Sequence, residues 1–277
     1  MNTLYSALIS LTVLLLMTTV SMAAPARVAS MNVCTEQLAL MLGAKSQLIS
    51  VTHLATDTRM SSVAELAADL PVNRGRAEEV YLLKPDLVLA GQYTAIEGVE
   101  MLRRLGIDVV VFDIANTFEA MRENLIKMGE VLGRRAEAQD LLATLDAQLA
   151  ALPAISDDAP RAALYYANGY TSGTNALSHE ILTRAGFRNI AAELGLEWGG
   201  MLSLEQLVMA DPDAIILGQK YPGSSRSEDI LDHPVLNHLK AKLPQTVISD
   251  SDWVCGTPNI IHAIDRLIDL RRQIESQ

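Results

Sequence analysis

Residues 78–92, EEVYLLKPDLVLAGQ, return as EQLVMADPDAIILGQ at residues 205–219. No other feature limits so tightly what the chain can fold into. A shift of 127 residues sets Pro85 on Pro212, and brings Glu78 onto Glu205, Asp86 onto Asp213, Gly91 onto Gly218 and Gln92 onto Gln219. Each copy reads as a short helix, a Pro-Asp break and an apolar strand closed by glycine. Proline cannot continue a helix and biases the residue before it away from helical angles, so the helix stops there. A weaker echo sets MNVCTEQLALMLGA from Met31 against TNALSHEILTRAGF from Thr174, with Asn32 on Asn175 and Thr35 on Ser178. Two copies of one α/β unit make two similar lobes, and two lobes enclose a cleft.

Residues 1–23 hold no Asp, Glu, Lys or Arg, and Ser21-Met22-Ala23 supplies the small residues that signal peptidase requires. The segment reads as a signal peptide cut near Ala23, its apolar run being shorter than the roughly 20 residues of a spanning helix. No cysteine lies near the cut, so a soluble exported protein is expected, not a lipid-anchored one. The formal charge of −11 falls entirely on the remainder, which argues against nucleic acid or an anionic membrane surface as partner.

The expected organisation is an N-terminal lobe over residues 24–116, a linking helix over 117–152 and a C-terminal lobe over 153–277. Phe118, Met121, Leu125, Met128 and Leu132 recur at alternating steps of three and four, the stripe of an amphipathic helix. Asn116 or Thr117 caps its start and Pro153 ends it. Unbroken, it spans roughly 50 Å at about 1.5 Å per residue; the alternative is a break near Gly129 or Gly133. Strands are expected at Arg27–Ser30, Leu48–Thr52, Leu87–Gly91, Val109–Asp113, Ala162–Ala167, Ala214–Gly218 and Thr246–Asp250. Most are continuous apolar runs, as in parallel strands covered by helices on both faces. Ligands then sit beyond the strands' carboxyl ends, near Asn32, His53, Gln92, Asn168, Gln219 and Asp252.

RVASMNVCTEQLALMLGA from Arg27, AEEVYLLKPDLVLAG from Ala77 and DSDWVCGTPNIIHAIDRL from Asp250 together resemble the periplasmic binding proteins for vitamin B12, haem and ferric siderophores. The closing segment is similar to that of the vitamin B12 binders in particular. The resemblance covers essentially all of the exported chain. It implies a non-enzymatic, monomeric receptor of the periplasm with no cofactor of its own. Such a receptor holds a metal-chelate ligand between lobes joined by one long helix, and delivers it to an ABC permease and its ATPase. It also implies that Glu78 and Glu205, each seven residues before its motif proline, dock to the permease. Two carboxylates on separate lobes form a two-point clamp that fixes orientation and speeds encounter.

For the ligand, the resemblance points to Tyr93 and Trp198 against a flat face, with Asp250, Asp252 and Trp253 as the far wall. Arg59, Arg74 and Arg76 precede the first motif helix, where they could pair with ligand carboxylates or phosphate. Tyr165, Tyr166, Asn168 and Tyr170 add rings and hydroxyls. Cys34 and Cys255 are both placed at helix starts facing the cleft. Three readings stay open for them: a disulfide, a thiolate pair gripping a metal or metallo-ligand, or two separate thiols. His53 follows a strand and could face the cleft, and with Asn32 and Asp252 it completes the candidate set.

Other classes fit less well. The five histidines lack the convergent spacing of a zinc or manganese receptor, the first alternative. An exported enzyme would need signatures that are missing: no Gly-x-Ser-x-Gly elbow, no His-Glu-x-x-His, no phosphate-binding loop, and too few cysteines for a cluster.

Overall fold

The computed structural model describes residues 24–153, 158–223 and 225–276. The signal-peptide expectation for residues 1–23 lies outside the described residues. The strands are β1 (Val28–Ser30), β2 (Leu48–Thr52), β3 (Val72–Asn73), β4 (Leu87–Gly91), β5 (Asp108–Phe112), β6 (Arg161–Tyr165), β7 (Tyr170–Thr171), β8 (Arg188–Asn189), β9 (Gly200–Met201), β10 (Ala214–Gly218) and β11 (Gln245–Ile248). The helices are α1 (Val33–Met41), α2 (Ala64–Ala67), α3 (Ala77–Leu82), α4 (Ile96–Arg104), α5 (Phe118–Val131), α6 (Arg135–Ala150), α7 (Leu177–Arg184), α8 (Ile190–Glu193), α9 (Leu204–Ala210), α10 (Pro234–Lys242), α11 (Asp250–Trp253) and α12 (Ile260–Glu275).

The two lobes each carry a parallel sheet, ordered β3-β2-β1-β4-β5 in the first and β11-β10-β6-β8 in the second. With β1 matched to β6 and β4 to β10, both sheets have one strand order, as the internal repeat demands. β7 and β9 form a small antiparallel pair outside them. The expected strands are all present, with ends displaced by a few residues. The largest displacements, of two residues, are at the ends of β6 and of the last strand, after which Asp250 already begins α11.

The repeat's hydrogen bonds explain its residues. Asp86 accepts from the backbone N–H of Arg27, at 3.0 Å, and Asp213 from that of Arg161, at 2.7 Å. The Arg27 guanidinium donates to the Leu83 and Lys84 carbonyls that end α3, and Arg161 donates to the Ala210 and Asp211 carbonyls that end α9. Each arginine therefore satisfies helix-end acceptors that would otherwise lack a partner. Lys84 and Asp211, the residues before the two prolines, both take left-handed angles, with φ of 50° and 45°. The motif is one tertiary lock used twice.

Between the lobes the structure departs from the single linking helix. The segment forms α5 and α6, broken at Gly133, whose φ of 68° ends α5 cheaply. The two helices run antiparallel: Arg122 and Asp146 are ion-paired across them. A Cβ on Gly129 would lie 2.6 Å from that of Ala138, so glycine lets them close near their turn. Met121, Leu145 and Leu149 enter the C-terminal core, while Leu125, Met128, Leu132 and Ala138 enter the N-terminal one. Each fully buried Leu or Met of this stripe contributes about 1.5–3 kcal/mol. Two helices, not one, are thus embedded in both cores.

Cys34 at the start of α1 and Cys255 after α11 are bonded to each other, with Cα atoms 4.9 Å apart. This decides among the three readings and removes both thiolates as ligands. The bond joins the lobes and closes 221 residues of chain. Two residues on from Cys34, fully buried Glu36 accepts from the Thr52 N–H at 2.8 Å and its hydroxyl at 2.6 Å. Burial outweighs these bonds and pushes its carboxyl up to about 7.

Two outcomes follow. Reducing the disulfide, or Cys34→Ser with Cys255→Ser, should lower the melting temperature, since loop closure over this length contributes up to about 5 kcal/mol. Thiol titration of the unreduced, denatured protein should find none. For Glu36, a folded-state pKa above the ordinary value means its contribution is complete below the usual carboxylate range and is lost as pH rises through about 7. Glu36→Gln offers an acceptor to the Thr52 N–H and a donor to its hydroxyl without titrating. Melting curves from pH 5 to 8 should fall more steeply for the wild type than for the variant; parallel curves would refute this.

Candidate functional site

In parallel sheets every strand points the same way, so the loops after the strands collect at one edge. In this chain they are residues 31–35 after β1, 53–62 after β2, 74–76 after β3, 92–95 after β4, 113–117 after β5, and in the second lobe 166–169, 219–223 and 249–255. The two edges meet, and one flank of their meeting is stitched. The Ser251 N–H donates to the Arg59 carbonyl at 2.9 Å, and Asn259 Nδ2 to Ser62 Oγ at 2.8 Å. Tyr221 donates to Asp250 and lies 3.1 Å from Met60 Sδ. The Arg59 guanidinium stands 5.3 Å from the Tyr221 ring centroid.

Arg59 is thereby engaged on both faces. It forms a forked pair with Asp57, at 2.9 and 2.5 Å, whose carboxyl these bonds hold down at about 2. Arg59, a candidate ligand partner by sequence, is taken up by Asp57 and by the contact between lobes.

On the other flank two cavities open side by side. One, of about 300 Å³, is walled by Asn32, the Cys34–Cys255 bridge, Gln92, Tyr93, Phe112 and Asn124. The other, of about 450 Å³, is walled by Asn116, Tyr166, Tyr170, Ser172, Asp250 and Trp253. Ile114, Ala115 and Val254 belong to both, so they form one continuous surface. Asp113 and Asp250 are the charged residues in these walls, and Asp250 already accepts from Tyr221. Tyr166 packs edge-on to Trp253, with centroids 5.8 Å apart, and burial pushes its phenol up, so it stays neutral. The surface is one of rings, amides and aliphatic groups.

Tyr93 lines the smaller cavity and is 83% exposed, whereas Trp198, 71% exposed, lines neither cavity. Tyr170 donates to the Trp198 carbonyl at 3.2 Å, which sets the two rings' chains together. The crossing beneath them is too close for a side chain: a Cβ on Gly173 would lie 1.9 Å from the Leu196 carbonyl oxygen. Asn32 caps α1, accepting from the Cys34 and Thr35 N–H groups, while also lining the smaller cavity. Trp253 is a core residue with an edge on the larger one.

The remaining candidates stand elsewhere. Asp252 is turned to Arg266, at 3.6 Å, and away from the far wall expected of it. His53, Arg74 and Arg76 are exposed and line neither cavity. Glu78 and Glu205 are both exposed, in the first turns of α3 and α9. Among the described residues no group of three His, Cys, Asp or Glu could hold a metal ion, and no helix is long and apolar enough to cross a membrane. Sequence reasoning missed Asp57, Met60 and Tyr221. Tyr221 had a signal, standing just after the second motif strand.

The sequence profile of periplasmic binding proteins matches residues 28–250. A cobalamin-binding protein of Halobacterium salinarum is 30% identical over 199 residues, 70% of this chain and 54% of the relative; the chain thus spans about half that protein's length. The vitamin B12-binding protein of Salmonella typhimurium is 29% identical over 203 residues, covering 71% of this chain and 73% of the relative. Among solved structures, the periplasmic haem-binding protein RhuT of Roseiflexus sp. RS-1, in apo form, superimposes with a TM-score of 0.72 at 19% identity, over 90% of this chain and 98% of that one. That last likeness is one of fold. With the profile matched across both lobes and the cleft between them, the chain belongs to the periplasmic binding protein family.

Proposed function

We propose that this chain is the periplasmic receptor of an ABC importer, and that its cargo is a corrinoid. The observation that carries the cargo class is the wall chemistry. Anionic cargo such as a carboxylate-bearing porphyrin or a catecholate chelate calls for cationic partners. Arg59 is committed to Asp57 and Tyr221, and Arg74 and Arg76 line neither cavity. The side-chain amides of Asn32, Gln92, Asn116 and Asn124 suit the amide-fringed periphery of a corrin, and Tyr93 and Tyr170 suit its flat faces, with the exposed Trp198 joined to Tyr170 through its carbonyl. The names of the curated relatives support the same reading. The C-terminal lobe supplies one side of the seat and residues 24–116 the other. Binding and delivery require no chemistry from the receptor.

Calorimetric titration should give one cyanocobalamin per monomer, with haemin and a ferric catecholate binding far more weakly. Tyr93→Ala and Trp198→Ala should each weaken cobalamin about tenfold, since a ring contact of this kind is worth roughly 0.5–1.5 kcal/mol beyond its area. Silence toward cobalamin with tight binding of haemin would reassign the cargo.

Docking rests on Glu78 and Glu205. Being exposed, they contribute little to folding, so Glu→Arg at either should shift stability by no more than about 0.5 kcal/mol and leave cargo affinity intact. Uptake should fall, because reversal sets like charges together across the interface. Normal uptake by the double variant would refute the docking role.

A further inference from the structure

The two docking helices share more than a glutamate. Tyr81 and Leu82 follow Glu78 at steps of three and four, and Val208 and Met209 follow Glu205 at the same steps. All four are exposed, Leu82 at 76% and Met209 at 85%. Steps of three and four place them on the helix face of their own glutamate. Exposed apolar side chains are ordinary one at a time; the same pair beside the same carboxylate at both repeat positions marks a surface with a use.

The lobes differ in what lies beside that face. Next to α9, between it and α10, runs a groove of about 760 Å³, whose lining includes Glu205, Val208, Met209, Val235 and His233 over Tyr165. Tyr165 is fully buried, and its hydroxyl has no hydrogen-bond partner among the described residues. Burial and the nearby Glu205 carboxylate both push its phenol up. The groove therefore offers an apolar trough above the buried Tyr165 phenol, with Glu205 and His233 among its polar lining. Methionine at the rim adapts to differently shaped occupants.

We propose that this groove seats an apolar side chain from a loop of the membrane permease, while a basic residue of that loop pairs with Glu205. The inference rests on the docking role of Glu205 and adds the non-electrostatic half of that contact. Charge complementarity selects the occupant: a neighbouring carboxylate disfavours an anionic lipid headgroup and favours a cationic protein loop. It also makes the C-terminal lobe the stronger of two docking points, since Leu82 and Tyr81 flank no comparable groove among the cavities described.

The test measures binding of the cargo-loaded receptor to its permease–ATPase complex in nanodiscs, at low and high salt. Val208→Ser with Met209→Ser should weaken binding about tenfold at both salt concentrations. Glu205→Ala should weaken it chiefly at low salt, and Leu82→Ser should cost less than the Val208/Met209 pair. Unchanged melting curves and cobalamin titrations would show that the variants remain folded. If Glu205→Ala weakens binding and the paired serine variant does not, the groove inference fails while the docking reading stands. If neither weakens it, both fail. A wild-type dimer in gel filtration that Met209→Ser dissolves would assign the groove to a second copy and overturn the proposal.

Discussion

The covalent bond between Cys34 and Cys255 is the constraint on which the cleft depends. It fixes the start of α1, in one lobe, to the turn before α12 in the other, and both sulfurs sit where the strand edges face each other. Around it the non-covalent contacts are individually modest. A neutral hydrogen bond contributes about 0.5–1.5 kcal/mol net, and Ser251 to Arg59 or Asn259 to Ser62 alone would not hold two lobes in register. With the sulfurs joined, those contacts act at fixed separation, and the ordering entropy they would otherwise oppose is already restricted. α5 and α6, each buried in both cores, supply the remaining stiffness.

A cleft held this way keeps its walls in place before any ligand binds. Pre-organised walls reduce the ordering penalty on binding. The parts left free to adjust are the exposed rings, Tyr93 in one cavity wall and Tyr170 in the other, with Trp198 tied to Tyr170 through its carbonyl. The close crossing at Gly173 fixes the backbone under Trp198 while leaving its ring exposed. The cleft thus combines a stapled base with an adaptable edge.

The fold was legible because its strongest signal was geometric. The Pro-Asp break with its flanking helix and strand occurs twice, and the structure shows why: Asp86 and Asp213 pin the first strand of each lobe, and Arg27 and Arg161 close the helix ends. That lock is local enough to leave a trace in sequence. The two-residue strands β3, β7, β8 and β9 are not, since a pair of residues carries no period to detect. The linking segment was half legible. Its apolar stripe reads correctly, but a stripe at steps of three and four does not say whether the helix folds back, and Gly133 decides that it does. At the site, exposed rings after strands could be foreseen. The fate of Arg59 could not, because its partners lie two residues away in Asp57 and 162 residues away in Tyr221. Likewise Asp252 has the right address and the wrong direction, a matter of rotamer that sequence does not encode.

The cost of opening the cleft differs from one part of it to another. Opening the lobes as rigid bodies would require separating the strand edges at the bridge, which the covalent bond forbids, and drawing Met121 or Leu125 out of a core, at about 1.5–3 kcal/mol each. Turning the Trp198 ring requires much less, since the ring is largely solvated. The backbone beneath it, by contrast, is held by the β7–β9 pair, by the Asn175 N–H donating to the Glu197 carbonyl at 2.8 Å and by the crossing at Gly173. The flank with the Arg59–Asp57–Tyr221 contact is intermediate, since its forked pair lies within one lobe and would survive separation, leaving the Tyr221 stacking and a few hydrogen bonds to lose. A partner that grips both lobes would therefore distort the rim before the base. On this ranking of costs the exposed rings of Trp198 and Tyr170 yield first, and the disulfide and the paired helices last.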